Sequence, residues 1–439
     1  MKLTEQLQEW NENDEYQKII DAIEGMPVEE RTPELISELA RAYNNIAGPA
    51  LHYFEQSFRE KTAEGWSVFE KGEARLRALM DQKDQGAVRE ELIETCSGLL
   101  SAVFSDVSFE LGFNGKKYEL ILTPEGKRTK LFELVYFQSH APSSVLEHWN
   151  ILVGRQPSRG YSLSAFGEMV SGQDVQVWIE KTEEQSQSKH ISLELYCEKL
   201  LPLFKTDESK VWWLLSTLLD QILGELAAME LVEDFQVLDT PKDAVPVLLD
   251  ELPEILKKMD IECSSDPEHF LENSFIGYEM VPDQNPEADW RLDVFAGSTR
   301  CAAVINEYLR GESDIMDEFH RDGVTAGFLC YPLDSFAHEE ERGRVVLDFR
   351  DELIAYVLEN AGDDAMTFLG GATGIYCGYL DFIAWDLNAV LASAAAFFEN
   401  SPVEWAAFHS FRRNVNAVRL MDKRPAEAEY GAAAPGISN

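Results

Sequence analysis

Basic residues are scarce in this sequence relative to acidic ones. Of 439 residues, 38 are Lys or Arg and 79 are Asp or Glu, so the formal net charge is −41. A surface this negative repels phosphate backbones and anionic lipid headgroups, which excludes broad electrostatic binding to nucleic acids or to membranes. The same field attracts positive protein surfaces, so we expect a protein partner of basic character.

Paired cysteines and long apolar runs are also missing. The six cysteines include no CxxC pair, which favours reduced thiols over a disulfide framework or a zinc ribbon. No apolar run reaches the roughly 18–20 residues that a membrane helix needs, and the polar start MKLTEQLQEW lacks the apolar core of a signal peptide. These features predict a cytoplasmic protein.

Catalytic signatures are absent as well. The eight histidines are scattered, and the chain has no HExxH, no GxSxG and no phosphate loop of the GxxxxGK type. A metal site would need the acids of LDFRDE (347–352) to converge with Asp381 or Asp293, and their spacing does not require this. We therefore predict a protein that is not an enzyme and carries neither a metal nor a cofactor.

Residues 1–90 have the pattern of helices. EYQKIIDAIEGMP spaces its apolar residues at helical intervals before Gly25 and Pro27, and Pro33 then opens a second helix. A third helix is predicted through ALHYFEQSFRE (50–60).

This amino-terminal region resembles the tetratricopeptide repeat, in which paired helices stack into a solenoid. The matching positions are Leu39, Ala40 and Tyr43 in the first helix and Ala50, Phe54 and Ser57 in the second. Tyr43 and Ala50 are closer in sequence than the repeat requires, and only about one and a half repeats are present. The resemblance implies a short helical module docked on its neighbour.

Residues 91–243 have the pattern of an α+β domain. Alternating polar and apolar residues flank Asn114-Gly115, which predicts a β-hairpin, and KLFELVYFQSH (130–140) is predicted as a further strand. DVQVWIE and KHISLELY form a second strand pair. A long helix over 211–231 and a strand at DFQVL follow.

Residues 247–422 predict a second α+β domain. From residue 324 onward the order is β-α-β-β-α-β, which is the ferredoxin-like split βαβ arrangement. The tail 423–439 is rich in Ala, Gly and Pro and is predicted to be disordered. The fold class is thus α+β, with a tetratricopeptide-like helical region followed by two α+β domains.

The segment GGATGIYCGYLDFIAWD (370–386) is the most distinctive stretch of the chain. Its glycines lie between two predicted strands and no Lys follows, so they are interpreted as a strand linker and not as a phosphate loop. Asp386 is predicted to cap the next helix. Asp381, on the same strand face as Tyr379, is solvated, paired or functional, and together with Tyr379 and Tyr376 it is the candidate ligand site.

The adjacent pair Trp212 and Trp213 is a candidate partner-binding surface, because neighbouring residues on a helix cannot both face one core.

The amino-terminal stretch and the segment 370–386 also resemble a group of bacterial cytosolic proteins of unknown function. The carboxyl-terminal region is similar to the protein inhibitor of ribonuclease E called regulator B, which implies a protein-binding role.

Two functions follow as hypotheses. The first is a non-enzymatic, acidic interaction or regulatory protein, such as an inhibitor or immunity-type protein that binds a basic protein. The alternative is a small-ligand-binding protein or enzyme with a pocket near the strand 375–385.

Overall fold

A computed structural model describes residues 3–12, 16–27, 31–46, 56–82, 85–180, 190–336 and 342–424. The chain divides into two compact units. The first unit comprises residues 1–106 and 274–439, and the second unit comprises residues 107–273. The amino-terminal helices thus belong to the same unit as the carboxyl-terminal sheet, whereas the sequence pattern places domain boundaries at 90 and 247. None of the helices in the described ranges is both long and apolar enough to cross a bilayer.

The first unit begins with helices. They are α1 (Leu3–Glu12), α2 (Tyr16–Glu24), α3 (Pro33–Ile46), α4 (Phe58–Met80) and α5 (Gln85–Leu100). A small core of apolar side chains from α1, α2 and α3 centres on Ile19, Ile20 and Ile23. Pro33 begins α3, as its missing N–H and fixed φ allow at a first helical turn.

Of the second-helix positions of the tetratricopeptide resemblance, one lies within the described residues. Ala50 and Phe54 lie outside the described residues, and Ser57 precedes α4 instead of lying within a helix. The Ser57 hydroxyl accepts a hydrogen bond from the backbone N–H of Glu60, and the Glu60 carboxylate accepts one from the backbone N–H of Ser57. This reciprocal pair satisfies two N–H groups at the helix start and fixes where α4 begins.

The second unit is an α+β structure. Its first half contains β1 (Ser108–Phe113), β2 (Tyr118–Thr123), α6 (Arg128–Ser139), α7 (Ser143–Leu146), β3 (Trp149–Val153), β4 (Ser162–Ala165) and β5 (Glu168–Ser171). Its second half contains β6 (Gln176–Glu180), β7 (Ile191–Tyr196), α8 (Leu201–Phe204), α9 (Glu208–Leu223), α10 (Glu225–Leu231), β8 (Val232–Val237), β9 (Val247–Leu248), α11 (Leu252–Lys258) and α12 (Pro267–Asn273). The strands form sheets in the orders β1-β2-β3, β4-β5 and β8-β7-β6-β9.

Several predicted elements of the second unit are present. The hairpin at Asn114-Gly115 joins β1 to β2, and β6 pairs antiparallel with β7. The strand predicted at 130–140 is wrong, because those residues form most of α6. The long helix predicted over 211–231 is interrupted at Gly224, whose φ of +89° ends α9.

The rest of the first unit is a seven-stranded sheet with its helices. The strands are β10 (Ile276–Glu279), β11 (Val294–Thr299), β12 (Thr325–Pro332), β13 (Met366–Gly374), β14 (Cys377–Ala384), β15 (Trp405–Ser410) and β16 (Val418–Asp422). The helices are α13 (Ala302–Arg310), α14 (Asp314–Asp322), α15 (Arg342–Ala361) and α16 (Leu387–Asn400). The spatial order is β10-β11-β13-β14-β12-β15-β16, and every neighbouring pair is antiparallel.

The elements β12, α15, β13, β14, α16 and β15 have the predicted β-α-β-β-α-β order. Within the sheet their strands stand in the order β13-β14-β12-β15, so the first strand lies between the third and the fourth. This is the ferredoxin-like arrangement, extended here by β10, β11 and β16. An apolar core that includes Leu353, Leu380 and Phe382 lies between the sheet and the helices α15 and α16. The α+β class predicted from the sequence is confirmed.

The helix α4 is tied to the sheet by its first residues. The ring of Phe58 lies 5.4 Å from that of Trp385, and the backbone N–H of Arg59 donates to the carbonyl of Trp385 at 3.0 Å. The Arg59 guanidinium also lies 2.6 Å from the carboxylate of Asp364. These contacts explain why the amino-terminal helices and the sheet form one unit.

Candidate functional site

The glycines of the segment 370–386 lie within strands and not in the connection between them. Gly370, Gly371 and Gly374 belong to β13, and only residues 375 and 376 separate β13 from β14. The interpretation of these glycines as a strand linker is therefore wrong. A Cβ atom on Gly374 would lie 2.1 Å from the Asp293 carboxylate, so glycine at this position makes room for that side chain.

Asp293 organises the turn from β13 to β14. Its Oδ2 accepts hydrogen bonds from the backbone N–H groups of Tyr376 and Cys377, both at 3.0 Å. Its Oδ1 accepts one from the hydroxyl of Tyr379 at 2.5 Å. Three donors thus hold a largely buried carboxylate, which fixes the positions of two of the candidate residues, Tyr376 and Tyr379.

Asp381 lies inside the sheet and is paired. Its side chain is fully buried, and it forms an ion pair with the guanidinium of Arg291, which is 1% exposed. Burial raises the pKa of Asp381, and the positive charge of Arg291 partly opposes that rise. The second oxygen, Oδ2, is buried without a hydrogen-bond partner. Of the alternatives left open by the sequence, the structure supports pairing and excludes solvation.

Arg291 is surrounded by aromatic rings. Its guanidinium carbon lies 5.2 Å from the ring centre of Phe328, 5.3 Å from that of Tyr379 and 5.5 Å from that of Phe411. Its Nη2 donates to the hydroxyl of Tyr278 at 2.6 Å. Cation–π contacts and the ion pair together compensate for burying this charge.

A cavity of about 170 Å³ opens beside this buried cluster. Four aromatic side chains contribute to its wall: Trp290, Trp405, Tyr376 and Tyr379. Three carboxylates also line it: Asp289, Asp293 and Asp334. We call it the aromatic-acidic cavity. Asp381 does not line it, so the structure brings Tyr376 and Tyr379 together at the cavity and leaves Asp381 behind Tyr379 in the sheet.

The carboxylates of the aromatic-acidic cavity differ in how they are held. Asp293 is committed to the strand turn, and Asp289 pairs with Arg413 at 3.0 Å. Asp334 lies exposed after β12. One cation lines the cavity, Arg424, which pairs with Asp422 at 2.6 Å and lies over the ring of Trp405. Aromatic faces beside carboxylates suit a positively charged group.

The thiols and imidazoles near this site are poorly suited to catalysis. Burial raises the pKa of Cys377 and of Cys330, which disfavours the nucleophilic thiolate. Burial lowers the pKa of His409 to about 4, and its two ring nitrogens lie within hydrogen-bond distance of backbone carbonyls. Within the described ranges, no group of three or more His, Cys, Asp or Glu side chains has the geometry to hold a metal ion.

The predicted partner surface lies in the second unit. Trp213 is 49% exposed on α9 and its ring packs edge-on against Phe166 at 5.5 Å. Trp212 is half-buried against Phe235, with ring centres 4.2 Å apart. The two indoles therefore point to different surroundings, and neither lines the aromatic-acidic cavity.

Sequence reasoning missed Arg291, although it is the partner of the candidate Asp381. The two residues are 90 positions apart, and Arg291 stands in a loop before β11 with a φ of +69°. The available signal was the lone arginine of EADWRLDV, a basic residue among acids and apolar residues. Asp386 was predicted correctly, because its carboxylate accepts from the backbone N–H of Ala389 at the start of α16.

Comparison with known protein families, characterised proteins and solved structures finds no match for this chain.

Proposed function

We propose that this chain is a non-enzymatic binding protein for a basic protein, and that one cationic side chain of the partner enters the aromatic-acidic cavity. The observation that carries the proposal is the wall of this cavity, where Trp290, Trp405 and Tyr376 stand beside the carboxylates of Asp289 and Asp334. Such walls attract cations through ring faces and through charge.

The size of the cavity favours a side chain over a larger ligand. Sites for drug-sized molecules have volumes of roughly 300–1,000 Å³. The aromatic-acidic cavity, at about 170 Å³, suits a single lysine or arginine side chain. Binding of the rest of the partner would then occur on the surrounding acidic surface.

The net charge of −41 supports the same proposal at longer range. Opposite charges on two proteins steer their encounter and accelerate association at low ionic strength. A regulator, inhibitor or immunity-type protein that neutralises a basic partner would use this effect. All six cysteines are free thiols, which fits a proposed location in the reducing cytoplasm.

The test uses decalysine as a probe peptide and compares two variants of equal charge. Asp334→Asn removes an exposed carboxylate from the cavity wall, and Asp351→Asn removes an exposed one from α15, on the opposite face of the sheet. We expect Asp334→Asn to weaken peptide binding by about twofold to fivefold, the usual worth of an exposed charge pair. Asp351→Asn should have a smaller effect, because it changes the net charge alone.

Fluorescence titrations at about 0.05 M and about 0.3 M salt would measure both affinities. Equal losses in the two variants would show that decalysine binds to the diffuse negative field and not to the cavity. Failure of the parent protein to bind at either salt concentration would contradict the proposal.

A second candidate function is the binding or conversion of a free small molecule at the same cavity. Tyr376 and Tyr379 line the cavity and favour this candidate, whereas Asp381 lies outside its wall. Titration with n-butylammonium distinguishes the two candidates. Binding of the free amine as tight as that of decalysine would favour a small-molecule site.

A further inference from the structure

A second cavity in the first unit is lined by basic side chains, in contrast to the aromatic-acidic cavity. Its volume is about 210 Å³, and three arginines line it: Arg41 of α3 and the consecutive Arg412 and Arg413 after β15. Ser313, Asn11 and Asn414 add neutral polar groups to the wall, and no described carboxylate lines it. We call it the arginine-lined cavity. In a chain with 38 basic residues against 79 acidic ones, three guanidinium groups around one cavity are unexpected.

Arg412 is the most deeply buried of the three arginines. Its side chain is 2% exposed, yet its Nε and Nη1 are buried without a hydrogen-bond partner. The remaining nitrogen, Nη2, donates to Asp317 at 2.6 Å and to the Nδ1 of His320 at 2.8 Å. Leaving a buried donor unsatisfied costs roughly 1–3 kcal/mol, and more when the group is charged. Arg412 is one of the residues that line the arginine-lined cavity.

Several acids contact the arginines of this cavity without lining it. Asp317 bridges Arg41 and Arg412, and Glu38 lies 3.2 Å from Arg41 on the same helix. Asp289 holds the Nε and Nη2 of Arg413, and the carbonyl of Leu309 accepts from its Nη1. These contacts fix the guanidinium groups in place and leave Nε and Nη1 of Arg412 unmatched.

Neutral donors complete the wall. Ser313 precedes α14, and its hydroxyl makes no capping hydrogen bond to the helix. Asn414 is exposed next to Arg413 and carries a side-chain amide. An acceptor with several oxygen atoms could therefore receive hydrogen bonds from a buried guanidinium, a hydroxyl and an amide together.

We propose that the arginine-lined cavity binds a small oxyanion, a phosphate or carboxylate group, with Arg412 as its principal ligand. The guanidinium of Arg412 has two donor nitrogens left, Nε and Nη1, which point to different sides of the group, so each can donate a single charge-assisted hydrogen bond. Burial lowers the pKa of Arg412, so an anion in the cavity would also restore a favourable setting for its charge. This site is separate from the aromatic-acidic cavity, which attracts cations.

The test compares Asn414→Asp with Asn360→Asp. Asn414→Asp adds a carboxylate to the cavity wall, and Asn360→Asp adds one at an exposed position of α15, so both change the net charge by the same amount. Neither residue is buried, so both variants should fold. Calorimetric titrations with potassium phosphate and with sodium malonate, at constant ionic strength near 0.1 M, would separate the two anion classes.

We expect saturable binding of at least one anion to the parent protein and to Asn360→Asp. Binding to Asn414→Asp should be roughly tenfold weaker, because a like charge then lies close to the bound anion. Arg412→Lys, which keeps the charge but loses the Nε–H and Nη1–H donors, should weaken binding further. No saturable binding of either anion to the parent protein, or equal affinity in Asn414→Asp and Asn360→Asp, would overturn the proposal.

Discussion

At the scale of single residues, the pairing of Arg291 with Asp381 is the most consequential interaction of the candidate site. Both side chains are almost completely inaccessible, and they join β14 to the loop before β11. A buried ion pair contributes little to stability compared with apolar residues of the same size, but removing one partner leaves an uncompensated charge. The pair therefore ties the loop before β11 to this face of the sheet.

The first prediction concerns this pair. Asp381→Asn removes the negative charge and leaves Arg291 buried with its aromatic neighbours alone. We expect the free energy of unfolding to fall by about 3–5 kcal/mol, as for other broken buried pairs. Denaturant titration of the variant and of Asp351→Asn, an exposed control on α15, would measure this.

Removing both charges of the Arg291–Asp381 pair gives an independent check. The double variant Arg291→Met with Asp381→Leu removes both charges, so it should recover part of the lost stability. A loss below about 1 kcal/mol in Asp381→Asn would mean that the charge pair is not important for the fold.

At the scale of elements, β13 and β14 position the aromatic-acidic cavity because glycine lets other groups approach the strands. Gly374 faces the Asp293 carboxylate, and that carboxylate holds the backbone of Tyr376 and Cys377. A displacement of the Asp293 carboxylate would therefore also move the turn between β13 and β14 and the wall of the cavity.

The second prediction tests that arrangement. In Gly374→Ala the new Cβ would lie 2.1 Å from Asp293 Oδ2, so the carboxylate must move and its three hydrogen bonds must weaken. We expect a loss of about 2–4 kcal/mol in stability, together with weaker binding of n-butylammonium. Denaturant titration and fluorescence would measure the two effects.

Gly343→Ala is the matched control. A Cβ at Gly343, in the first turn of α15, would meet no atom within 4 Å. Alanine in a helix should leave stability unchanged or raise it by about 0.5–1 kcal/mol. Equal behaviour of the two variants would show that Gly374 has no special role.

The elements also show what local sequence patterns can determine. The order of β12, α15, β13, β14, α16 and β15 was predictable because each element has its own period and start signals, such as the cap at Asp386. The strand predicted at 130–140 failed for a physical reason. A run of consecutive apolar residues fits a buried strand or a helix buried on most sides, and α6 is buried on most sides.

Whether residues 130–140 form a strand or a helix depends on the topology of the fold, which the local sequence pattern does not determine. The strand β2 pairs in parallel with β3, and a parallel pair needs a crossover between its strands. Here α6 supplies that crossover. In the same way, Arg291 could not be assigned to Asp381 from the sequence, because only the folded sheet brings the two together.

At the scale of the whole molecule, one buried group in each unit couples stability to pH, and the two groups act in opposite directions. In the second unit, Asp220 of α9 lies near Glu225 and 3.9 Å from Arg155. Burial, reinforced by Glu225, raises the pKa of Asp220 to about 7. In the first unit, burial and the neighbouring charges of Arg412 and Arg41 hold the pKa of His320 well below its usual value.

The direction in which each group changes stability with pH follows from proton linkage. Between about pH 4 and pH 7 the folded second unit binds more protons at Asp220 than the unfolded chain does, so the contribution of Asp220 to stability falls as the pH rises through this window. Below about pH 6.5 the unfolded chain binds a proton at His320 that the folded first unit rejects, so the contribution of His320 to stability falls as the pH is lowered.

The third prediction follows from these signs and uses two variants. Asp220→Asn should raise the stability of the second unit by about 1–3 kcal/mol at pH 8 and change it little at pH 4. His320→Asn, whose amide oxygen can still accept from Arg412, should reduce the acid sensitivity of the first unit by up to about 1.4 kcal/mol per pH unit below pH 6.5. Hydrogen exchange of peptides from α9 and from β12, corrected for its intrinsic pH dependence, would follow each unit separately. The same pH dependence in both variants as in the parent protein would contradict the assignment of these two groups, since each substitution replaces one titrating side chain with a polar one that does not titrate.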